Sequence, residues 1–261
     1  MTNTNKQIET CFSPALLPFF NLRGKTVVVV DVLRATSAIC TGIAEGVKSF
    51  IPIKTVKEAE HYKSKGYLVA AERMGQIVEG FDLGNSPFTY QDADLKDKSI
   101  AFTTTNGTNA IIQASDASRI LIGSFLNLSA LSDSLANQGE SIVILCAGWR
   151  NKFNLEDTLF AGALAQKLHL LSGFDIQCDA TLAAMQLYNN AAEDLNEYIQ
   201  NAAHVQRLQH LDIQQDIDFC LEHDRYDCIP VLVDNEIRAF SALEEEVSET
   251  SFEGKNLNGQ Q

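Results

Sequence analysis

The chain has 261 residues, 45% of them hydrophobic, and a mean hydropathy of −0.07. A chain of this length buries roughly 70–75% of its unfolded surface without staples. The formal charge of −14, with no cluster of Lys and Arg, excludes a nucleic-acid binder, which gains affinity by releasing counterions from phosphates. No apolar run nears the ~20 residues that cross a bilayer, and the N-terminal stretch lacks the charged-then-apolar order of a secretion signal. The six cysteines (Cys11, Cys40, Cys146, Cys178, Cys220 and Cys228) form no CxxC pair, so reduced thiols and a cytoplasmic location are expected.

In chain order, Lys25–Val32 reads as a strand and Ala35–Glu45 as a helix ending near Gly46. Lys48–Ile53 is a short strand, and Thr55 with Glu58 forms a capping box for a helix that Gly66 ends. After strand Tyr67–Ala71, residues 72–90 have no periodicity and form a long Gly-rich loop of the functional kind. Alternation resumes with strand Ser99–Thr103, helix Thr108–Ala114, strand Arg119–Ile122, helix Leu126–Ala136 and strand Ser141–Cys146. Leu155–Leu171 is an amphipathic helix, 179–223 is almost wholly helical, and Ile229–Phe240 is a closing hairpin turning at Asp234-Asn235. Residues 244–261 are acidic and polar and are expected to be a disordered tail.

This alternation predicts an α/β fold, a mostly parallel or mixed sheet with helices on both faces in three layers. Residues 1–243 form that domain, either single or as two lobes dividing near 123–140. Ligands of such folds bind beyond the carboxyl ends of strands. The polar segments fall there.

Asp31 closes the first strong strand, Arg34 offers a planar fork for phosphate or sulfonate, and Thr36 and Ser37 open the next helix. Capping explains Asp31 and Ser37 equally well. Glu72-Arg73 ends the third strand, an opposite pair that a turn does not require. Gly75, Gly80 and Gly84 permit close backbone approach, while Asp82, Asn85 and Ser86 add oxygen donors, all of them also ordinary turn residues. Thr104, Thr105, Asn106, Gly107 and Thr108 join a strand to a helix as an oxyanion cradle, without Walker spacing. Arg150 and Lys152 follow another strand and suit a second negative group. Glu156 and Asp157 suit magnesium, or offset a helix dipole by ~0.3–1 kcal/mol each.

Rival chemistries fail on the same residues. A haloacid-dehalogenase-type phosphatase needs Asp where Leu33 stands; a cysteine phosphatase needs five residues, not three, between Cys146 and Arg150. No Gly-x-Ser-x-Gly elbow exists. His61, His169, His204, His210 and His223 all fall on expected helices and read as surface or packing residues.

Asp31–Thr36, Glu72–Gly75 with Gly80–Pro87, Thr104–Thr108, and Gly148 with Glu156-Asp157 together resemble the 2-phosphosulfolactate phosphatase family, collinearly from about residue 8 to residue 234. The resemblance implies an α/β fold and a magnesium-dependent phosphatase that hydrolyses a small acidic phosphoester during coenzyme M synthesis. It implies that Asp31, Arg34, Glu72, Arg73, Asp82, Asn85, Ser86, Thr104, Asn106, Gly107, Thr108, Glu156 and Asp157 line one pocket. Catalysis is then expected from Asp31, Arg34, Glu72 and Arg73, and metal binding from some of Asp31, Glu72, Asp82, Glu156 and Asp157. Substrate contacts are expected from Thr36, Ser37, Asn85, Ser86, the Thr104–Thr108 turn, Arg150 and Lys152. Asp31 is either nucleophile or metal ligand. The alternatives are a non-catalytic binder of small anionic metabolites, or a nucleotide-dependent transferase without its fingerprint. A homodimer is the base-rate expectation.

Overall fold

Valines 27–30 show why the chain folds as it does: Val28 and Val30 pack into one hydrophobic cluster and Val27 and Val29 into another, so strand β2 (Thr26–Val30) is covered on both faces. The computed structural model describes residues 6–73, 76–208 and 213–240; Gly75, His210 and the expected tail at 244–261 lie outside them. The other strands are β1 (Ile8–Cys11), β3 (Ser49–Pro52), β4 (Leu68–Arg73), β5 (Gln76–Ile77), β6 (Ser99–Thr103), β7 (Arg119–Gly123), β8 (Ile142–Cys146), β9 (Pro230–Val233) and β10 (Glu236–Ala239). They form one ten-stranded sheet, in the order β1-β8-β2-β7-β9-β10-β3-β6-β4-β5.

Two parallel blocks make up this mixed sheet. β1, β8, β2 and β7 run together, as do β3, β6 and β4. The β9–β10 hairpin lies between the blocks, antiparallel to β7 on one side and β3 on the other. A hairpin expected to close the chain therefore sits at the middle of the sheet. Its turn is as expected, with Asp234 and Asn235 at positive φ of 51° and 65°. The antiparallel links reverse the second block, but right-handed twist of about 20–25° per neighbour accumulates over the five steps from β2 to β6. The turns that follow β2 and β6 meet, with Gly107 against Asp31.

One face of the first block carries α4 (Leu128–Gln138), α5 (Leu155–Ser172), α6 (Asp179–Ala191), α7 (Leu195–Ile199), α8 (Ala203–Leu208) and α9 (Gln214–Cys220). The opposite face carries α1 (Ala35–Ala44) and α3 (Gly107–Gln113). Helix α2 (Val56–Ser64) covers the second block over a small cluster of Ile51, Ile53, Val69 and Ala101. The three layers match the expectation.

Helix α5 differs from its amphipathic reading. Glu156 to Ala165 are all buried, because the helix lies between the sheet, α4 and α6. A Cβ at Gly162 would stand 2.1 Å from the Ala184 carbonyl oxygen, so only glycine lets α5 and α6 approach this closely. Strand β1 was missed, since its four residues carry no alternation. Glu72 and Arg73 belong to β4 and pair with β5 in a hairpin, not to an open loop.

Candidate active site

Asp31 stands one residue beyond β2 and is 6% exposed. The turn after it is closed by its own hydroxyls. Asp31 N–H donates to Thr36 Oγ1 and Thr36 N–H donates to the Asp31 carbonyl, both at 3.0 Å. Ser37 Oγ donates to the Val32 carbonyl at 2.8 Å and hydrogen-bonds Ser124 Oγ at 2.9 Å. Thr36 and Ser37 are thus spent on the backbone, as capping predicts, and neither lines the cleft.

Asp157 is also spent on the backbone. Its Oδ1 accepts from Val32 N–H at 2.8 Å and its Oδ2 from Gly148 N–H at 3.1 Å, which clips the ends of β2 and β8 together. Neighbouring Glu156 faces differently. Its Oε1 accepts from Asn154 Nδ2 at 3.0 Å and lies 2.5 Å from His204 Nδ1, while its Oε2 is buried without a hydrogen-bond partner. Burial pushes the Asp31 carboxyl up to about 7; Glu72 and Glu156 push the same way, opposed by His204 and the Ala35 N–H. Burial and the charges of Asp31 and Glu156 likewise raise Asp157 well above the usual carboxylate range. Asp31, Glu72 and Glu156 therefore repel one another inside a poorly solvated space.

The second block contributes at β4 and β6. Glu72 is 6% exposed and lines the cleft. Arg73 instead reaches sideways, donating from Nη1 to the Glu72 carbonyl at 2.5 Å and from Nη2 to Thr103 Oγ1 at 3.1 Å, which ties β4 to β6. Thr104 and Thr108 satisfy each other: Thr104 N–H donates to Thr108 Oγ1 and Thr108 N–H to Thr104 Oγ1. What faces the cleft from this turn is Thr105 and Asn106. Gly107 is needed for approach, since a Cβ there would stand 2.7 Å from both Asp31 Oδ2 and Ala35 Cβ.

The cations come from three elements. Arg34 is 5% exposed and pairs through Nη1 with Asp216 of α9, whose other oxygen accepts from Ser86 Oγ at 2.8 Å. After β8 the chain turns tightly at Trp149–Lys152, with Arg150 and Asn151 at φ of 51° and 59° and reciprocal backbone hydrogen bonds of 3.0 Å. This turn presents the Trp149 ring. The Arg150 guanidinium lies 4.4 Å, and that of Arg207 from α8 3.5 Å, from the ring centroid.

Asp31, Leu33, Arg34, Glu72, Asn85, Thr105, Asn106, Trp149, Arg150, His204 and Arg207 enclose a cleft of about 240 Å³. That is below the ~300–1,000 Å³ of sites for drug-sized ligands, so its ligand is small. Of the expected site residues, Asp31, Arg34, Glu72, Asn85, Asn106 and Arg150 converge here. Gly107 packs against Asp31, Glu156 against His204 and Ser86 against Asp216, while Asp157 holds the Val32 and Gly148 backbone behind the cleft. Lys152 is exposed outside the cleft, and Asp82 is on the surface, paired with Lys63 at 3.0 Å. Among the described residues no three His, Cys, Asp or Glu side chains are gathered as a ligand shell, and Asp82 stands apart from the other carboxylates expected to hold metal. His204 corrects the reading of that histidine as surface or packing. His204, Arg207 and Asp216 lie on α8 and α9, far along the chain, and carry no local motif that marks them.

The family model described as 2-phosphosulpholactate phosphatase matches residues 11–235. A protein of Caldanaerobacter subterraneus subsp. tengcongensis named "probable 2-phosphosulfolactate phosphatase" is 39% identical over 222 residues, covering 84% of this chain and 92% of the relative. Proteins of the same name from Thermotoga maritima and Symbiobacterium thermophilum are 39% identical over 209 residues and 36% over 227. These cover 80% and 84% of this chain, and 89% and 96% of the relatives. The carboxylates and arginines converging at the strand ends thus belong to a phosphoric monoester hydrolase, and the chain is a member of the 2-phosphosulfolactate phosphatase family.

Proposed function

We propose that the cleft hydrolyses 2-phosphosulfolactate, or a closely related acidic phosphoester, to the free hydroxy acid and inorganic phosphate, with magnesium as cofactor. The observation that carries this is the meeting of buried Asp31, Glu72 and Glu156 with Arg34 at one set of strand ends. A pure anion receptor gains nothing from carboxylates that repel its ligand. A metal-using phosphatase needs them.

The residues fit magnesium by the hardness of their oxygens and by one orphaned donor, the buried Oε2 of Glu156. A pair of carboxylates, Asp31 with Glu72 or Glu156, would hold the ion, since magnesium keeps much of its water, whereas Asp157 has both oxygens occupied by backbone N–H groups. Bound magnesium supplies charge neutralisation and water activation. Arg34, fixed by Asp216, opposes the charge of the phosphoryl oxygens, and Thr105 and Asn106 wall the site. His204, braced through Nδ1 by Glu156, is placed to give a proton to the departing alcohol oxygen from its other ring nitrogen. Water then supplies the oxygen retained by phosphate and the proton that replaces the one His204 gave.

The test is phosphate release from the phosphoesters of sulfolactate, lactate, glycerate and glycolate, each with magnesium and with a chelator. We expect release with magnesium, greatest for the sulfolactate ester, and none with the chelator. No release from any ester in magnesium overturns the reading.

A further inference from the structure

Two guanidinium groups on one indole ring repel each other, and nothing in the phosphoryl chemistry above uses them. Burial lowers the pKa of Arg207, the charge of Arg150 adds to that, and Glu156 opposes it. Arg207 Nη2 is buried without a hydrogen-bond partner, although a guanidinium has five donors to satisfy. The same holds for a side chain across the lining: Asn85 is 6% exposed and its Oδ1 has no partner. An amide carries a donor end and an acceptor end, so Asn85 offers either to a ligand. Trp149 fixes both arginines by cation–π contact without consuming any N–H. Arg34, by contrast, already spends Nη1 on Asp216.

Resting on the phosphatase reading above, we propose that Arg150 and Arg207, mounted on Trp149, form a subsite for an acid group of the substrate other than the phosphoryl group, a sulfonate or a carboxylate, and that Arg207 sets the preference for substrates carrying one. An anion there relieves the repulsion between the two guanidinium groups and occupies the orphaned Nη2. Planar guanidinium forks match the paired oxygens of carboxylate and sulfonate. The subsite shares one small cleft with Asp31 and Arg34, so a single three-carbon acid can reach both. Arg207 is the discriminating residue because it arrives from α8, independently of the strand-end turn that carries Arg150.

Two measurements on the purified full chain test this. In the first, sulfolactate and lactate, which lack the phosphoryl group, are titrated calorimetrically into wild type, Arg207→Gln, Arg207→Lys and Arg150→Gln. Wild type is expected to bind sulfolactate, with affinity falling about 10- to 100-fold in Arg207→Gln, the worth of one charge-assisted hydrogen bond. Arg207→Lys is expected to recover part of that loss. A loss shared by lactate assigns the subsite to the carboxylate, and a loss confined to sulfolactate assigns it to the sulfonate. Failure of wild type to bind sulfolactate, or binding as tight as wild type by both Arg207→Gln and Arg150→Gln, overturns the proposal.

In the second, kcat and KM are compared for 2-phosphosulfolactate and for 2-propyl phosphate, which has neither further acid group. Arg207→Gln is expected to lose at least tenfold more kcat/KM on the first than on the second, chiefly through KM. Equal losses would make Arg207 a phosphoryl or structural residue and sink the subsite. If wild type binds sulfolactate through Arg207 yet releases no phosphate from any ester, the subsite stands and the phosphatase reading falls.

Discussion

The carboxylates of the cleft and its arginines are held by opposite means. Asp31, Glu72 and Glu156 are buried at strand ends and a helix start, where charge is poorly solvated and Glu72 and Glu156 add to the raised proton affinity of Asp31. Arg150 and Arg207 lie over an aromatic ring at the mouth of a turn, the first exposed and the second half-buried. Asp31 therefore opposes folding unless a cation or proton joins it, while at the arginines the cost is the mutual repulsion of Arg150 and Arg207 and the orphaned Nη2 of Arg207. Function is built at the expense of stability on both sides, by a buried carboxyl on one and by crowded guanidinium groups on the other.

The sharpest way to break this contrast is Asp31→Asn. Turnover is expected to fall by about a thousandfold or more, the scale of losing a catalytic or metal-holding carboxylate, measured as phosphate release. The same variant should be more stable than wild type in metal-free solution above neutral pH. The sign follows from linkage. A carboxyl at about 7 in the folded chain and near 3.8 unfolded binds protons more tightly when folded, so wild-type stability falls as pH rises from about 4 to 7. The asparagine variant lacks that slope, and its advantage of roughly 1–4 kcal/mol at pH 8 should vanish near pH 4. Equal melting curves across that range would mean Asp31 is not desolvated.

Asp216→Asn is expected to cost about 3–5 kcal/mol in chemical denaturation, because it removes the carboxylate that neutralises buried Arg34. A loss below 1 kcal/mol would show that the pair is not what fixes Arg34. Asp157→Asn sharpens the comparison between two acids of the same strand ends. An asparagine can accept one of the two backbone N–H groups but presents a donor to the other, for a loss of about 1–3 kcal/mol. Near pH 4, where the linkage gain of either substitution has vanished, Asp157→Asn should destabilise while Asp31→Asn should be neutral. Smallest is Ser37→Ala, about 1 kcal/mol from the lost bonds to the Val32 carbonyl and Ser124, with KM unchanged. A raised KM would return Ser37 to substrate binding.

Legibility in the sequence followed the range of the interactions. Strand β6 and the Asp234-Asn235 turn were read at their observed positions because alternation and turn chemistry are local. The central place of the β9–β10 hairpin was not readable, since sheet order depends on pairings across nearly 200 residues. At the site, Asp31, Arg34, Glu72 and Asn106 are legible because each lies at or just past the carboxyl end of a strand. Asp82 fits the same composition, yet its lysine partner draws it to the surface. Thr36, Ser37, Thr104 and Thr108 have the right chemistry but use it on their own turns. His204, Arg207 and Asp216 were missed because only the folding of α8 and α9 over the strand ends brings them to the cleft.

The most direct test is whether the buried acids bind a divalent ion before any substrate arrives. Magnesium should be titrated calorimetrically into metal-free wild type and Asp31→Asn, with manganese and its electron spin resonance as a second readout. One saturable site in wild type, lost or weakened at least tenfold in the variant, is the predicted result. Absence of binding to wild type, or equal binding by both chains, would contradict the account.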